Sequence, residues 1–298
     1  MAKNRDKLII LIIVGAALVF FVGFSVVLFV VSQSASDMSF APIGNKIALI
    51  DVTGVIEKSD DIIRQLKKYE DDSSIKALVL RIDSPGGGVA ASQEIYDQLK
   101  KFKEKHKYIV VSMGAVAASG GYYIACAADT IFADPGTLTG SIGVIFSYPV
   151  LQTLLDKVGV KMQVIKSGKL KDVGNYAREP SPEDIAMLQS VIDDTYDQFI
   201  NVVADGRNLE LSYVKGLADG SVFTGRQAQE KGLVDKLGTL EDAIVKAGQM
   251  SDLGSNPRVI KERRINHTLL DDLIGKLGLE DVKSNIHLWP SLEYRYNY

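Results

Sequence analysis

The chain begins with an unbroken apolar run from Leu8 to Val31 (LIILIIVGAALVFFVGFSVVLFVV), free of charge, proline and strongly polar side chains. As a helix rising about 1.5 Å per residue it would cross a hydrocarbon core of about 30 Å, so the pattern predicts a transmembrane helix at 8–31. The small residues of Ser32-Gln-Ser-Ala-Ser36 would also suit a signal-peptide cut. The run, however, is far longer than the roughly 7–15 apolar residues of such a leader. Lys3, Arg5 and Lys7 precede the span, whereas Ser32 to Pro42 carries only Asp37. The positive-inside rule then places residues 1–7 in the cytoplasm and the body of a single-pass cell-membrane protein outside it.

Beyond a linker at 32–45 the pattern changes to short apolar runs alternating with amphipathic stretches. Lys46–Val52, Ala77–Asp83, Tyr108–Met113, Thr130–Ala133 and Val144–Phe146 are rich in β-branched residues and predict buried parallel strands. Helical spacing of Ala91, Ile95, Leu99 and Phe102 predicts a helix over 89–105. A second is predicted over 182–204 by Ile185, Leu188, Ile192, Phe199 and Val203, with Ser181 as N-cap, Pro182 in the first turn and Gly206 as a stop. This βαβ order predicts an α/β fold in one domain over 46–250. Residues 251–298 differ in character: Asn256-Pro257, basic Lys261, Arg263 and Arg264, an amphipathic helix near Leu269–Leu277, and a tail with Tyr294, Tyr296 and Tyr298 expected to dock on a neighbouring copy.

Composition narrows the chemistry. A net charge of −3 without long like-sign runs leaves no footprint for nucleic acid. The single cysteine, Cys126, lies in an apolar run and reads as a core residue. Of the three histidines, His106 sits in a charged helix end and His267 and His287 fall in the C-terminal extension, so a Ser-His-Asp triad is poorly supplied. No metal-ligand spacing occurs, so neither a metal nor a cofactor is expected.

Two glycine-rich junctions remain. In Asp83-Ser-Pro-Gly-Gly-Gly-Val-Ala-Ala, Gly86-x-Gly88-x-x-Ala91 formally matches a dinucleotide fingerprint. The next strand, however, ends in Val111-Ser112-Met113 without the acid that would hold a ribose, and Pro85 stiffens the loop. The alternatives are a plain βα turn or backbone amides, at Gly86 and Gly87, that approach a substrate carbonyl as oxyanion donors. The second junction, Gly114-Ala-Val-Ala-Ala-Ser-Gly-Gly, presents Ser119 between small residues at a helix start, as either a cap or a nucleophile. In the latter role the Gly120 amide would be the second donor.

A serine nucleophile without histidine needs another base. Lysine serves only if burial lowers its ordinary pKa of ~10.4 by roughly three units, about 4 kcal/mol. Val164-Ile-Lys-Ser-Gly-Lys-Leu-Lys-Asp-Val offers Lys166, Lys169 and Lys171 where a predicted strand gives way to a polar loop, and composition does not choose among them.

Five motifs in order carry a family resemblance: Asp83-Ser-Pro-Gly-Gly-Gly, Ala117-Ala-Ser-Gly-Gly-Tyr-Tyr, Thr139-Gly-Ser-Ile-Gly-Val, Ser167-Gly-Lys-Leu-Lys-Asp and Gly220-Ser-Val-Phe-Thr-Gly-Arg-Gln-Ala. Over roughly 46–250 the chain resembles SppA-type signal peptide peptidases, Ser/Lys serine endopeptidases of ClpP/crotonase-like fold, in their short single-copy form. The resemblance implies Ser119 as nucleophile, Lys171 as general base, the amides of Gly86 and Gly120 as oxyanion hole, and Ser141 as the residue that helps hold the base. It also implies a homo-oligomeric ring or dome, an octamer, and remnant signal peptides or other extended apolar peptides as substrates. Alternatives are a related peptidase cutting one membrane-protein tail, a crotonase-like acyl-thioester enzyme, and a non-catalytic membrane assembly factor in which Ser119 merely caps its helix.

Overall fold

Period-two alternation inside the apolar runs decides the architecture. In Lys46–Thr53 (β1), Ala48, Ile50 and Val52 face one side of a sheet while Ile47 and Leu49 face the other, and all five are buried. Both faces therefore need cover, which makes these interior parallel strands. After Asp60–Asp71 (α1) come Ile75–Ser84 (β2), Gly86–Gly88 (β3), Val89–Glu104 (α2), Tyr108–Ala118 (β4), Gly120–Ala125 (α3), Thr130–Ala133 (β5), Leu138–Gly140 (β6), Ile145–Ser147 (β7) and Gln152–Lys157 (α4). Then follow Pro182–Arg207 (α5), Leu211–Leu217 (α6), Val222–Thr224 (β8), Gly225–Glu230 (α7), Lys236–Leu237 (β9), Leu240–Met250 (α8), Val259–Lys261 (β10) and Ser291–Arg295 (β11). This computed structural model describes residues 21, 44–262 and 291–296. The expected membrane helix at 8–31, Phe21 apart, and the amphipathic segment near Leu269–Leu277 lie outside them. Among the described residues no helix is long and apolar enough to cross a membrane.

The main sheet runs β10-β1-β2-β4-β5-β9, with every pair along this path parallel. One face packs Leu78, Leu80, Ile82, Ile109, Val111 and Met113 against α1, α2, α3 and α5; the other packs Ala77, Val79, Val110 and Phe132 against Ala243 and Ala247 of α8. Each such Leu, Ile or Val contributes roughly 1.5–3 kcal/mol on burial. The α/β reading thus holds, and the sheet continues past residue 250, since β10 pairs with β1.

Three local expectations change. The run around Val144–Phe146 is no buried parallel strand: β7 lies in a second small sheet, β3-β11-β7, whose pairs are antiparallel. Ile145 is exposed, because this strand flanks a cleft and not a core. The long helix does not stop at Gly206 but runs to Arg207 and ends at Asn208 in a left-handed conformation (φ 52°). Gly206 serves packing instead, for a side chain there would run into the Cys126 carbonyl. Its start is as expected: Ser181 forms a capping box with Asp184, with Pro182 in the first turn. Finally, the part of the tyrosine tail that carries Tyr294 forms β11, which pairs with β3 and β7 of its own chain, while Tyr298 lies outside the described residues.

Candidate active site

The site lies at the carboxyl ends of neighbouring parallel strands, where open α/β sheets commonly bind ligands. β2 and β4 pair up to Ser84 opposite Ala117, so Gly86 and Ser119, each two residues further on, emerge side by side. Asp83 steadies the two ends, its carboxylate accepting the Val116 N–H at 3.1 Å. Ser119 is buried, with its N–H donating to Gly140 O (2.8 Å) and its carbonyl accepting Tyr123 N–H (2.8 Å). Its backbone (φ 53°, ψ −117°) is one that side chains rarely adopt, as in the sharp strand-to-helix turns that present nucleophiles. It stands at the N-cap position of α3, yet its hydroxyl makes no capping hydrogen bond, so the cap role is not the one its side chain performs.

The glycines form the opposite wall. A first side-chain carbon on Gly86 would lie only 2.6 Å from the Gly120 nitrogen and would collide with the Tyr294 carbonyl oxygen. Gly86 itself donates its N–H to Ser84 Oγ at 3.1 Å. The neighbouring Gly87 is turned toward β11: Tyr296 N–H donates to Pro85 O (2.8 Å), which sets the hydrogen-bonding phase of the β3/β11 ladder. In that phase Tyr294 and Gly87 form a hydrogen-bonded pair, and the Gly87 amide donates to the Tyr294 carbonyl. A peptide carbonyl therefore already lies among Gly86, Gly87 and Gly120. The residue pattern raised both Gly86 and Gly87 as donors, and the resemblance named Gly86; the ladder phase, invisible in one dimension, separates their two amides.

Ser141 follows Gly140, whose carbonyl receives the Ser119 N–H, so the two serines flank one backbone contact. Ser141 is buried, left-handed (φ 50°), and lines an open cavity of about 500 Å³ together with Gln189, Tyr196 and Tyr296.

The lysines lie elsewhere in character. Residues 158–166 form no strand, and a series of turns follows from Ser167. The Lys166 amine bonds Lys169 O (2.8 Å) and Asp172 (2.5 Å), and that of Lys169 meets Glu183 at 2.8 Å. Both amines are thus ion-paired, whereas Lys171 meets no carboxylate among the described residues. The Lys171 side chain is exposed, and no described segment of its own chain covers this loop. Arg178 anchors the loop, binding Asp172 (2.9 Å) and Asp184 (2.5 Å) at the α5 N-terminus. These hydrogen bonds hold both carboxylates below their usual range, Asp184 at about 2.

Other nucleophiles and ligands recede. Cys126 is buried, and burial pushes its thiol up to about 12. His106 is exposed after α2, and no metal-capable cluster of His, Cys, Asp and Glu occurs among the described residues.

Comparison with known proteins completes the picture. The profile of Peptidase family S49 matches residues 101–254, and that of Clp protease matches 45–136. A Synechocystis sp. protein, provisionally named a protease, is 51% identical over 252 residues, covering 84% of this chain and 90% of its own length. An Enterococcus faecium protein, provisionally named signal peptide peptidase SppA, is 42% identical over 67% of this chain and 62% of its own. Protease 4 of Haemophilus influenzae is 38% identical over 69% of this chain and 35% of its own. The chain thus spans less than two thirds of the latter two relatives.

Proposed function

Because the chain belongs to peptidase family S49 and is a serine-type peptidase of the SppA type, we propose that it cleaves extended apolar peptides, remnant signal peptides among them, with a Ser119–Lys171 dyad. The observation that carries this reading is the junction itself: a buried serine in a strained turn, its hydroxyl unused for capping, beside glycine amides that receive a peptide carbonyl.

In the proposed sequence, neutral Lys171 takes the Ser119 hydroxyl proton as Oγ bonds to the substrate carbonyl carbon. The carbonyl oxygen becomes an oxyanion held by the amides of Gly120 and Gly87, or of Gly86 should its bond to Ser84 open. The C–N bond breaks as Lys171 returns the proton to the leaving amine. Water, deprotonated by the same lysine, then attacks the acyl-enzyme ester and frees Ser119. Ser141 assists by holding the base.

Assembly supplies what a single chain lacks. Leu154, Val158, Val160, Met162, Ile165 and Leu170 are exposed along the segment leading to Lys171, Ile165 at 95%. An apolar row of this kind beside an uncovered amine suits packing against a neighbouring copy, which would bury both and favour the neutral amine. The proposed setting is a homo-oligomer, of the octameric kind the resemblance implies, anchored in the cell membrane by 8–31 with its catalytic domain outside the cytoplasm.

A serine-directed acylating probe tests the core of this reading. Labelling is expected on a peptide containing Ser119 and absent from Ser119→Ala; a parent protein that resists every such probe while folded would overturn it.

A further inference from the structure

Three glycine amides follow one another in the turn beside Ser119, and each is committed to a direction. A trans peptide unit is planar, so its C=O and N–H point opposite ways. In the unit that joins Pro85 to Gly86 the carbonyl receives Tyr296 N–H (2.8 Å) on the cleft side. The Gly86 N–H therefore turns inward, where it donates to Ser84 Oγ at 3.1 Å. In the next unit the Gly86 carbonyl turns away from the cleft to receive Ile56 N–H (2.9 Å), which leaves the Gly87 N–H directed at β11. Gly88 donates inward again, to Ile56 O at 2.8 Å. The alternation ties two of the three amides inside the fold and leaves one for the cleft.

The bonds to Ile56 join backbone to backbone, whereas the bond to Gly86 N–H comes from a side chain. Ser84 is fully buried at the end of β2, opposite Ala117 of the strand that leads to Ser119. Proline follows it and has no N–H, so the first amide its hydroxyl can receive ahead is that of Gly86, the local bond that serines make in turns. Gly86 adopts φ 97°, and residues 86–88 have no side chains to resist rotation. Without the Ser84 oxygen the buried Gly86 N–H would lack an acceptor, and the 85–86 unit would relieve this by rotating that N–H toward the cleft. Such a rotation would also turn the Pro85 carbonyl inward and pull the Gly87 donor out of line.

We propose that Ser84 is a positioning residue for the oxyanion site: its hydroxyl oxygen holds the Gly86 N–H out of the cleft and so makes the Gly87 amide, with that of Gly120, the pair that receives the reacting carbonyl. The inference rests on the peptidase reading and adds to it a side chain that acts only through the turn. A donor aimed beforehand needs no reorganisation when charge develops on the carbonyl oxygen, so the Ser84 bond favours the transition state more than the bound peptide.

Full-length variants at this one position test the role. Removing an oxyanion donor outright lowers turnover about 10²–10³-fold, and losing only its alignment should lower kcat about tenfold in Ser84→Ala with KM little changed. Ser84→Cys, close in size but with a weak sulfur acceptor, should lose nearly as much, whereas Ser84→Thr, which keeps the oxygen, should recover most of the turnover. A peptide aldehyde, whose hemiacetal with Ser119 places an oxygen in the same hole, should bind Ser84→Ala about tenfold more weakly. An uncleaved peptide should bind Ser119→Ala equally well with or without Ser84→Ala. A residue that merely supports the fold would move the urea midpoint and leave this contrast unmoved. Separately, amide hydrogen exchange read by mass spectrometry over residues 83–92 should be at least about tenfold faster in Ser84→Ala and parent-like in Ser84→Thr. Faster exchange in a protein that hydrolyses no peptide upholds the hold of Ser84 on the turn and removes the peptidase chemistry. Hydrolysis by the parent with kcat unmoved in Ser84→Ala and Ser84→Cys, or exchange unmoved in both, overturns the positioning role and leaves the chemistry standing.

Discussion

The serine junction and the lysine loop belong to one proposed site yet are built in opposite ways. Around Ser119 everything is buried and internally bonded: two parallel strands end in register, glycines close to within contact, and one peptide carbonyl is already seated. The segment from Leu151 to Lys171 is solvated, shows apolar side chains to water, and holds its shape by one short helix, turns and the ion pairs of Lys166, Lys169 and Arg178. The first half is complete in a single chain. The second has the composition of a surface waiting to be covered, so catalytic competence would depend on assembly.

That contrast can be broken experimentally. The largest effect is expected at the finished half: Ser119→Ala should reduce peptide hydrolysis by at least about 10³-fold without altering oligomeric state, and retained turnover would remove Ser119 from the mechanism. Nearly as large, Lys171→Arg should lose on the order of 10²–10⁴-fold in kcat, since arginine does not give up its proton. Lys166→Ala and Lys169→Ala should lose far less, and the reverse ranking would transfer the base role.

Covering is tested at a distance from the chemistry. Ile165→Asp should shift the protein toward smaller species in light scattering and lower activity about tenfold, in keeping with the roughly 1.5–3 kcal/mol that burying an isoleucine contributes. Full activity in a monodisperse monomer would show that the loop needs no neighbour.

The smallest expected effect concerns the anchor. Because the folded values of Asp172 and Asp184 lie below the ordinary carboxylate value, their stabilisation is fully present above about pH 4, declines below it, and is lost only as pH falls through the folded values, about 2 for Asp184 and lower for Asp172. Arg178→Ala should therefore lower the urea midpoint modestly at pH 6 and by clearly less near pH 2. An equal deficit at both pH values would mean that the arginine acts by packing alone.

Much of this was legible in one dimension because it depends on local rules. Period-two runs marked the strands β1, β2, β4 and β5, helical spacing marked α2 and α5, and Ser181-Pro182 marked a helix start. The amphipathic α1, with Ile62, Leu66 and Tyr69 inward, was equally readable from its spacing but stood outside the reading. The run at 144–146 misled because a short apolar segment looks the same whether it enters a core or edges a cleft.

What the sequence determined by itself is chemical: which serine stands among glycines, that histidine and metal ligands are scarce, and which lysines share one loop. Tertiary structure decided how those groups face one another. It separated the amides of Gly86 and Gly87 by the phase of a ladder, left Lys171 uncovered, and returned Tyr294 to a pocket beside Ser119 from far along the chain. Residue identity and spacing are carried by the chain itself, whereas orientation and solvent exposure arise only when distant segments exclude water together.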